Sequence, residues 1–162
     1  MSLLFREVEN KGLDCRLFGF IMEAEEINAC HELIDLYYVS IAPGEVELEI
    51  PVSAQHLNAA GFVHGGIIAN LADSAIGMAL RSLNKNGVTV NLNVNFLKSA
   101  GRGDVLKATG TARHNGNRMF FGQAEISNQR GDLLATAQGS FLCTGEFLED
   151  YLKLRQERGL AD

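Results

Sequence analysis

The densest concentration of chemistry-bearing residues runs Asn58-Ala59-Ala60-Gly61-Phe62-Val63-His64-Gly65-Gly66 and continues, four residues later, into Leu71-Ala72-Asp73. Two glycines opening an apolar helix let a ligand approach the main chain. The unpaired N–H groups of a first helical turn, together with the helix dipole, favour negative charge developing on that ligand. That is the chemistry of an oxyanion hole. The competing reading is that Gly65-Gly66 only lets a strand-to-helix turn pack tightly, and the polar neighbours weigh against it. Asp73 falls two turns into the same helix among Leu71, Ala72, Ala75 and Ile76. A carboxylate there must be paired, hydrogen-bonded, shifted in pKa or placed in a cleft; a structural hydrogen bond is the alternative to catalysis. Gly65 and Asp73 are eight residues apart, about 12 Å along a helix at ~1.5 Å per residue, too far to act on one carbonyl within one chain. If both serve one reaction, two chains share it. A two-fold axis setting the helices antiparallel would bring Gly65 of one subunit to Asp73 of the other.

Other candidates are poorer. His31 adjoins Cys30, but neighbours on a helix point about 100° apart, so no thiolate pair is expected. His56 and His114 are expected at surface or turn positions, and no HxxxH or HExxH spacing supports a metal site. There is no G-x-S-x-G elbow and no GK[ST]. Gly101-Arg102-Gly103 lacks a third glycine and leads into a strand, so it is not a dinucleotide loop. Neither metal nor resident cofactor is expected.

The 162 residues suffice for one domain with its own core, and 46% apolar against 21% charged residues excludes disorder and fibrous repeats. Fourteen Lys and Arg against twenty Asp and Glu give a net charge of −6 without a basic cluster, so nucleic acid is not an expected partner. Apolar stretches such as Leu17 to Met22 are far below the ~20 residues a bilayer requires, and Glu7 and Glu9 stand where a signal peptide is basic. No membrane association is expected, and the location expected is the cytoplasm. Cys15, Cys30 and Cys143 are odd in number and lack CxxC spacing, as for reduced thiols.

From Met1 to about Ile34, Leu13, Leu17, Phe20, Ile21, Ala24, Ile27, Leu33 and Ile34 recur at helical intervals, predicting one or two amphipathic helices. Alternation of Tyr37, Val39 and Ile41, a Pro43-Gly44 turn, and alternation of Val46, Leu48 and Ile50 with glutamates predict a hairpin. Residues from Gly65 to about Leu83 predict a helix apolar on most sides. Four strands follow, Val88 to Leu97, Val105 to Arg113, Met119 to Ser127 and Leu133 to Cys143, then a polar helix from Glu146 to Arg158. The expected organisation is a single domain, 1–162, with a helical extension at 1–35, a core at 36–144 and a terminal helix at 145–162. The class is α+β: one helix apolar nearly all round is dry only when an antiparallel sheet wraps it.

The run Asn-x-x-Gly-x-x-His-Gly-Gly-x-x-x-x-Leu-Ala-Asp, carried by Asn58, Gly61, His64, Gly65, Gly66 and Asp73, resembles the hotdog-fold acyl-CoA thioesterases, specifically their phenylacetate-pathway, PaaI-like branch. The likeness extends through Gly87-Val88-Thr89-Val90 and the segment from Phe96 to Asp104, covering about Leu36 to Thr144. It implies subunits paired sheet to sheet as a homodimer or homotetramer, with active sites between them. By resemblance, the Gly65 amide polarises the thioester carbonyl and Asp73 of the partner subunit is general base or nucleophile. Asn58 and His64 position the thioester, and Thr89 holds the carboxylate or the attacking water. The substrate would be an aryl- or medium-chain acyl-CoA, coenzyme A being part of the substrate and not a cofactor. Gly66, Ile68, Val90 and Phe96, with Leu71 and Ile76, are candidates for lining the acyl site. Lys98, Arg102, Arg113 and especially Arg118 are candidates for the coenzyme A phosphates. Lys98-Ser99 replaces the Arg-Pro of many relatives. The longer N-terminal segment either covers the acyl pocket or enlarges an oligomer interface. A non-catalytic acyl-CoA-binding module is the alternative function; a hotdog dehydratase has no matching pattern here.

Overall fold

The computed structural model describes residues 7–159. Along the chain come β1 (Glu9–Asn10), α1 (Cys15–Glu25), α2 (Ala29–Leu33), β2 (Tyr37–Ala42), β3 (Glu45–Pro51), α3 (Gly65–Arg81), β4 (Lys85–Phe96), β5 (Val105–Asn115), β6 (Met119–Ser127), β7 (Leu133–Glu146) and α4 (Phe147–Glu157). All seven strands form one sheet in the order β1-β2-β3-β5-β6-β7-β4, antiparallel except for the short β1–β2 pair. The order puts β4, which follows α3 directly, at the far edge.

Alternation decides which face each strand turns to the helix. In β3, Val46, Leu48 and Ile50 are buried opposite Gly110, Ala108 and Leu106 of β5, with the intervening glutamates on the other face. Small residues let the sheet close on α3: a Cβ at Gly110 would lie 2.2 Å from the Ala75 carbonyl oxygen, a distance only glycine tolerates. Irregular register in β2, β4 and β5 supplies the curvature. The wrapped face of α3, including Leu71, Ala72, Ala75, Ile76 and Ala79, is fully buried. Asn70, Asp73, Ser74 and Arg81 form a half-buried flank.

The N-terminal region carries two helices, within its expectation of one or two, and adds a short strand. Among the described residues β1 precedes α1 and α2, each helix capped by a side chain, Asp14 and Asn28. The part of the expectation falling on residues 1–6 lies outside the described residues. The fold also has one strand more than the sequence pattern predicts, because two residues are too short a segment to show alternation. At the other end β7 runs past Cys143 to Glu146, and β4 begins at Lys85.

The N-terminal segment is anchored by a charge. Glu25, only 2% exposed, accepts from Arg81 of α3 at 2.5 Å, from Asn28 at 2.9 Å, and pairs with His31 Nδ1 at 2.9 Å. Burial pushes its carboxyl upward, but the His31 hydrogen bond and the Arg81 charge outweigh burial and hold it below the usual range. Its stabilising contribution is therefore present above the ordinary glutamate range and lost as pH falls through the depressed value. Glu25→Ala strands the Arg81 guanidinium, and a loss of about 3 kcal/mol is expected in urea unfolding; a loss under ~0.5 kcal/mol would show that the pair anchors nothing.

Candidate active site

The corner before α3 is built by its own polar groups. Asn58 Oδ1 accepts from the amides of Ala60 at 2.9 Å and Phe62 at 3.2 Å, and Gly61 takes a φ of +83° to complete the turn. The Asn58 side-chain NH2 has no acceptor among the described residues, and the residue is exposed. His64 caps the helix, its Nδ1 accepting from Gly66 N–H at 2.9 Å. The Gly66 amide is thus consumed internally and is not an oxyanion donor. The amide of Gly65 has no acceptor among the described residues and is the donor the corner retains. His64 N–H donates to His56 O at 2.8 Å. His56, expected at a surface or turn position, lies in the turn Ala54–His56 but is only 1% exposed, its Nδ1 accepting from Ser53 N–H at 3.0 Å, and so it anchors the corner from beneath. His114 is exposed.

A cavity of about 380 Å³ opens here, lined by Asn58, Phe62, Gly65, Ile68, Phe96 and Lys98 among others. Asp73 is elsewhere. Its Oδ1 accepts from the Thr89 hydroxyl of β4 at 3.0 Å, and both residues line a second cavity of about 200 Å³. The structure therefore brings Asn58, His64, Gly65, Ile68 and Phe96 together, and Asp73 with Thr89, but does not unite the two groups within one chain.

Burial pushes the Asp73 carboxyl above its ordinary value, and the Thr89 hydrogen bond pulls it partly back. A carboxylate acting as base works only when ionised, so the acidic limb of the rate profile should follow this raised pKa. Thr89→Val removes the downward pull, so that limb should move to higher pH in kcat/KM profiles. An unmoved or lowered limb would disconnect Thr89 from Asp73.

Of the remaining candidates, Lys98 lines the Gly65 cavity and the others line neither. Lys98 is held by Asp132 at 2.9 Å, and the Asp132 carboxyl is lowered to about 2, first by that hydrogen bond. Arg118 is exposed in the β5–β6 connection and lines neither cavity; Val90 lies 61% exposed on the edge strand. Leu71 and Ile76 are fully buried against the sheet and line neither cavity. Sequence reasoning missed Glu25, Asn28 and His31, which line the Asp73 cavity. His31 Nε2 lies 3.0 Å from Ser74 Oγ, forty-three residues along the chain, and no local spacing announces such a pair. Among the described residues no cluster of three His, Cys, Asp or Glu could hold a metal. No helix among them is long and apolar enough to cross a membrane.

The thioesterase superfamily matches residues 60–135, from the Asn58 loop through the start of β7. Acyl-coenzyme A thioesterase PaaI of Escherichia coli (strain K12) is 32% identical over 114 residues, 70% of this chain and 81% of that one. The chain belongs to the thioesterase superfamily. The E. coli PaaI structure matches the fold of this thioesterase with a TM-score of 0.79 at 28% identity, over 83% of this chain and 98% of the other. That likeness places it in the PaaI-like branch of hotdog thioester hydrolases. Human acyl-coenzyme A thioesterase 13 is 34% identical over 100 residues, 60% of this chain and 71% of its own. A Streptococcus pneumoniae TIGR4 thioesterase solved with coenzyme A has a TM-score of 0.67 at 30% identity, covering 68% and 90%. The wrapped helix of this thioesterase thus carries an amide corner at one end and a carboxylate at its middle, each on its own cavity.

Proposed function

We propose that this thioesterase hydrolyses acyl-CoA at a site completed by two protomers. The carrying observation is the separation of Gly65 from Asp73 into two cavities, each against a different end of one unpaired edge strand. Thr89 holds Asp73 near the start of β4, while the Phe96 ring at its end comes within 3.3 Å of where a Gly65 Cβ would stand. β4 is twelve residues long and exposes Val88, Val90 and Phe96, with exposed Leu97 just past its end. An edge of that length and polarity calls for a partner.

Antiparallel pairing of β4 with β4 of a second copy supplies one. If the two-fold axis passes at Asn93, the inward-facing Leu92 meets Val94. The extra residue of the irregularity between Thr89 and Asn91 then sets Thr89 opposite Phe96 of the partner subunit. That register carries Asp73 to Gly65 of the partner subunit. It also brings the β5–β6 connection, with Arg118, beside the partner's Gly65 cavity, where Arg118 regains a role toward the coenzyme A phosphates.

In this reading the partner's Gly65 N–H donates to the thioester carbonyl oxygen, stabilising the oxyanion by about 3 kcal/mol. Asp73 takes a proton from water through Oδ2, the oxygen Thr89 leaves free, as the water oxygen adds to the carbonyl carbon. Collapse of the tetrahedral adduct expels the coenzyme A thiolate, which recovers the proton. The raised Asp73 pKa supports a base over a spectator. The names of the E. coli and human relatives and the coenzyme A in the streptococcal structure support acyl-CoA as substrate. Three free cysteines fit a reducing compartment such as the cytoplasm. Thiol release from a panel of acyl-CoAs tests the reading: turnover of at least one is expected, and tight acyl-CoA binding with no thiol released would replace hydrolysis by sensing.

A further inference from the structure

We infer that the N-terminal segment, through Asn28 and His31, forms the end wall of the acyl pocket and restricts this enzyme to compact acyl groups. The inference rests on the acyl-CoA reading above. The cavity that Asp73 and Thr89 border holds about 200 Å³, below the ~300 Å³ at which pockets begin to take drug-sized ligands. In the reading above the thioester carbonyl meets the partner's Gly65, and the part of the substrate that passes Asp73 into this recess is the acyl group. The floor of the recess is buried: Leu80 is 2% and Phe141 4% exposed.

The far wall comes from outside the hotdog core. Asn28 caps α2, and its Nδ2 donates to Glu25; His31 is fixed by Glu25 at one ring nitrogen and by Ser74 at the other. Tyr38 Oη stands 3.3 Å from His31 Nδ1. Glu25 is in turn tied to Arg81. Every polar group of this wall is engaged, so the wall is rigid, and moving it means breaking a buried ion pair. An alkyl chain long enough to reach it would have to displace these groups or press methylenes onto a charged surface, both unfavourable. Of the two roles open to the N-terminal segment from sequence, closing the acyl pocket is the one this geometry assigns.

The test compares kcat/KM for hexanoyl-CoA and palmitoyl-CoA in the full-length enzyme and in His31→Ala and His31→Gln. The ratio of two substrates on one preparation is insensitive to how much protein is folded, which covers a variant of reduced stability. Wild-type enzyme is expected to favour hexanoyl-CoA at least tenfold. His31→Ala, which opens the wall, should raise the palmitoyl-to-hexanoyl ratio about tenfold, and His31→Gln, which keeps volume and polarity, should restore the wild-type ratio. Equal use of both substrates by the wild type, or an unchanged ratio in His31→Ala, overturns the inference while leaving hydrolysis at Asp73 intact. Absence of thiol release from every acyl-CoA would instead sink the functional reading itself, and this inference with it.

Discussion

Asp73→Asn should lower kcat for acyl-CoA hydrolysis about a thousandfold, within the span that loss of a positioned general base produces. The substitution is nearly isosteric, and an asparagine Oδ1 can still accept the Thr89 hydroxyl that Asp73 accepts at 3.0 Å. Asp73 belongs to the half-buried flank of α3 and not to its wrapped face, so the core is untouched. Circular dichroism and oligomer mass should accordingly match wild type, and KM should change little, because the Gly65 cavity that meets the thioester is unaltered. Steady-state thiol release measures the effect. A kcat within threefold of wild type would remove Asp73 from the mechanism.

The second large effect is a rescue. Asp73→Asn and Gly65→Val should each be inactive, the latter because a side chain at Gly65 meets the Phe96 ring at 3.3 Å from its first carbon and fills the amide corner. Co-expressed and assayed without separating the dimer species, the two should recover about a quarter of wild-type activity, and the isolated heterodimer about half. Random pairing makes half the molecules heterodimers, each with one of two sites intact. The intact site takes Gly65 from the Asp73→Asn chain and Asp73 from the Gly65→Val chain. Were each site contained within one chain, no pairing could restore it. Zero recovery from a verified heterodimer therefore excludes the shared site, whatever the oligomer mass.

How far the chain alone could be read varies with the range of the interaction. The β3 alternation, the Pro43-Gly44 turn and the apolar run of α3 are set by neighbours within a few residues, and each took its expected form. The Gly65 corner was legible for the same reason, since Asn58 binds the amides of Ala60 and Phe62, and His64 that of Gly66, across two to four residues. His56 falls in a turn as expected, but its burial was not legible, because a polar residue in a turn ordinarily faces water. Here Ser53 and His64 bind it from both sides along the chain, while the folded core closes over the ring. Lys98 lines the Gly65 cavity, but its pairing with Asp132, far along the chain, was not legible from spacing.

Local patterning thus determined the wrapped helix, its amide-bearing start and the aspartate two turns along, because helical pitch and strand pleat translate spacing directly into faces. It also determined that these two groups stand too far apart to serve one carbonyl in one chain. Only the tertiary structure decided that β4 is left at the sheet edge, and that Glu25 and His31 cross from the N-terminal segment to Arg81 and Ser74 beside Asp73. Those decisions depend on contacts between segments tens of residues apart, made where burial removes water and leaves a charge no partner but the one the fold delivers.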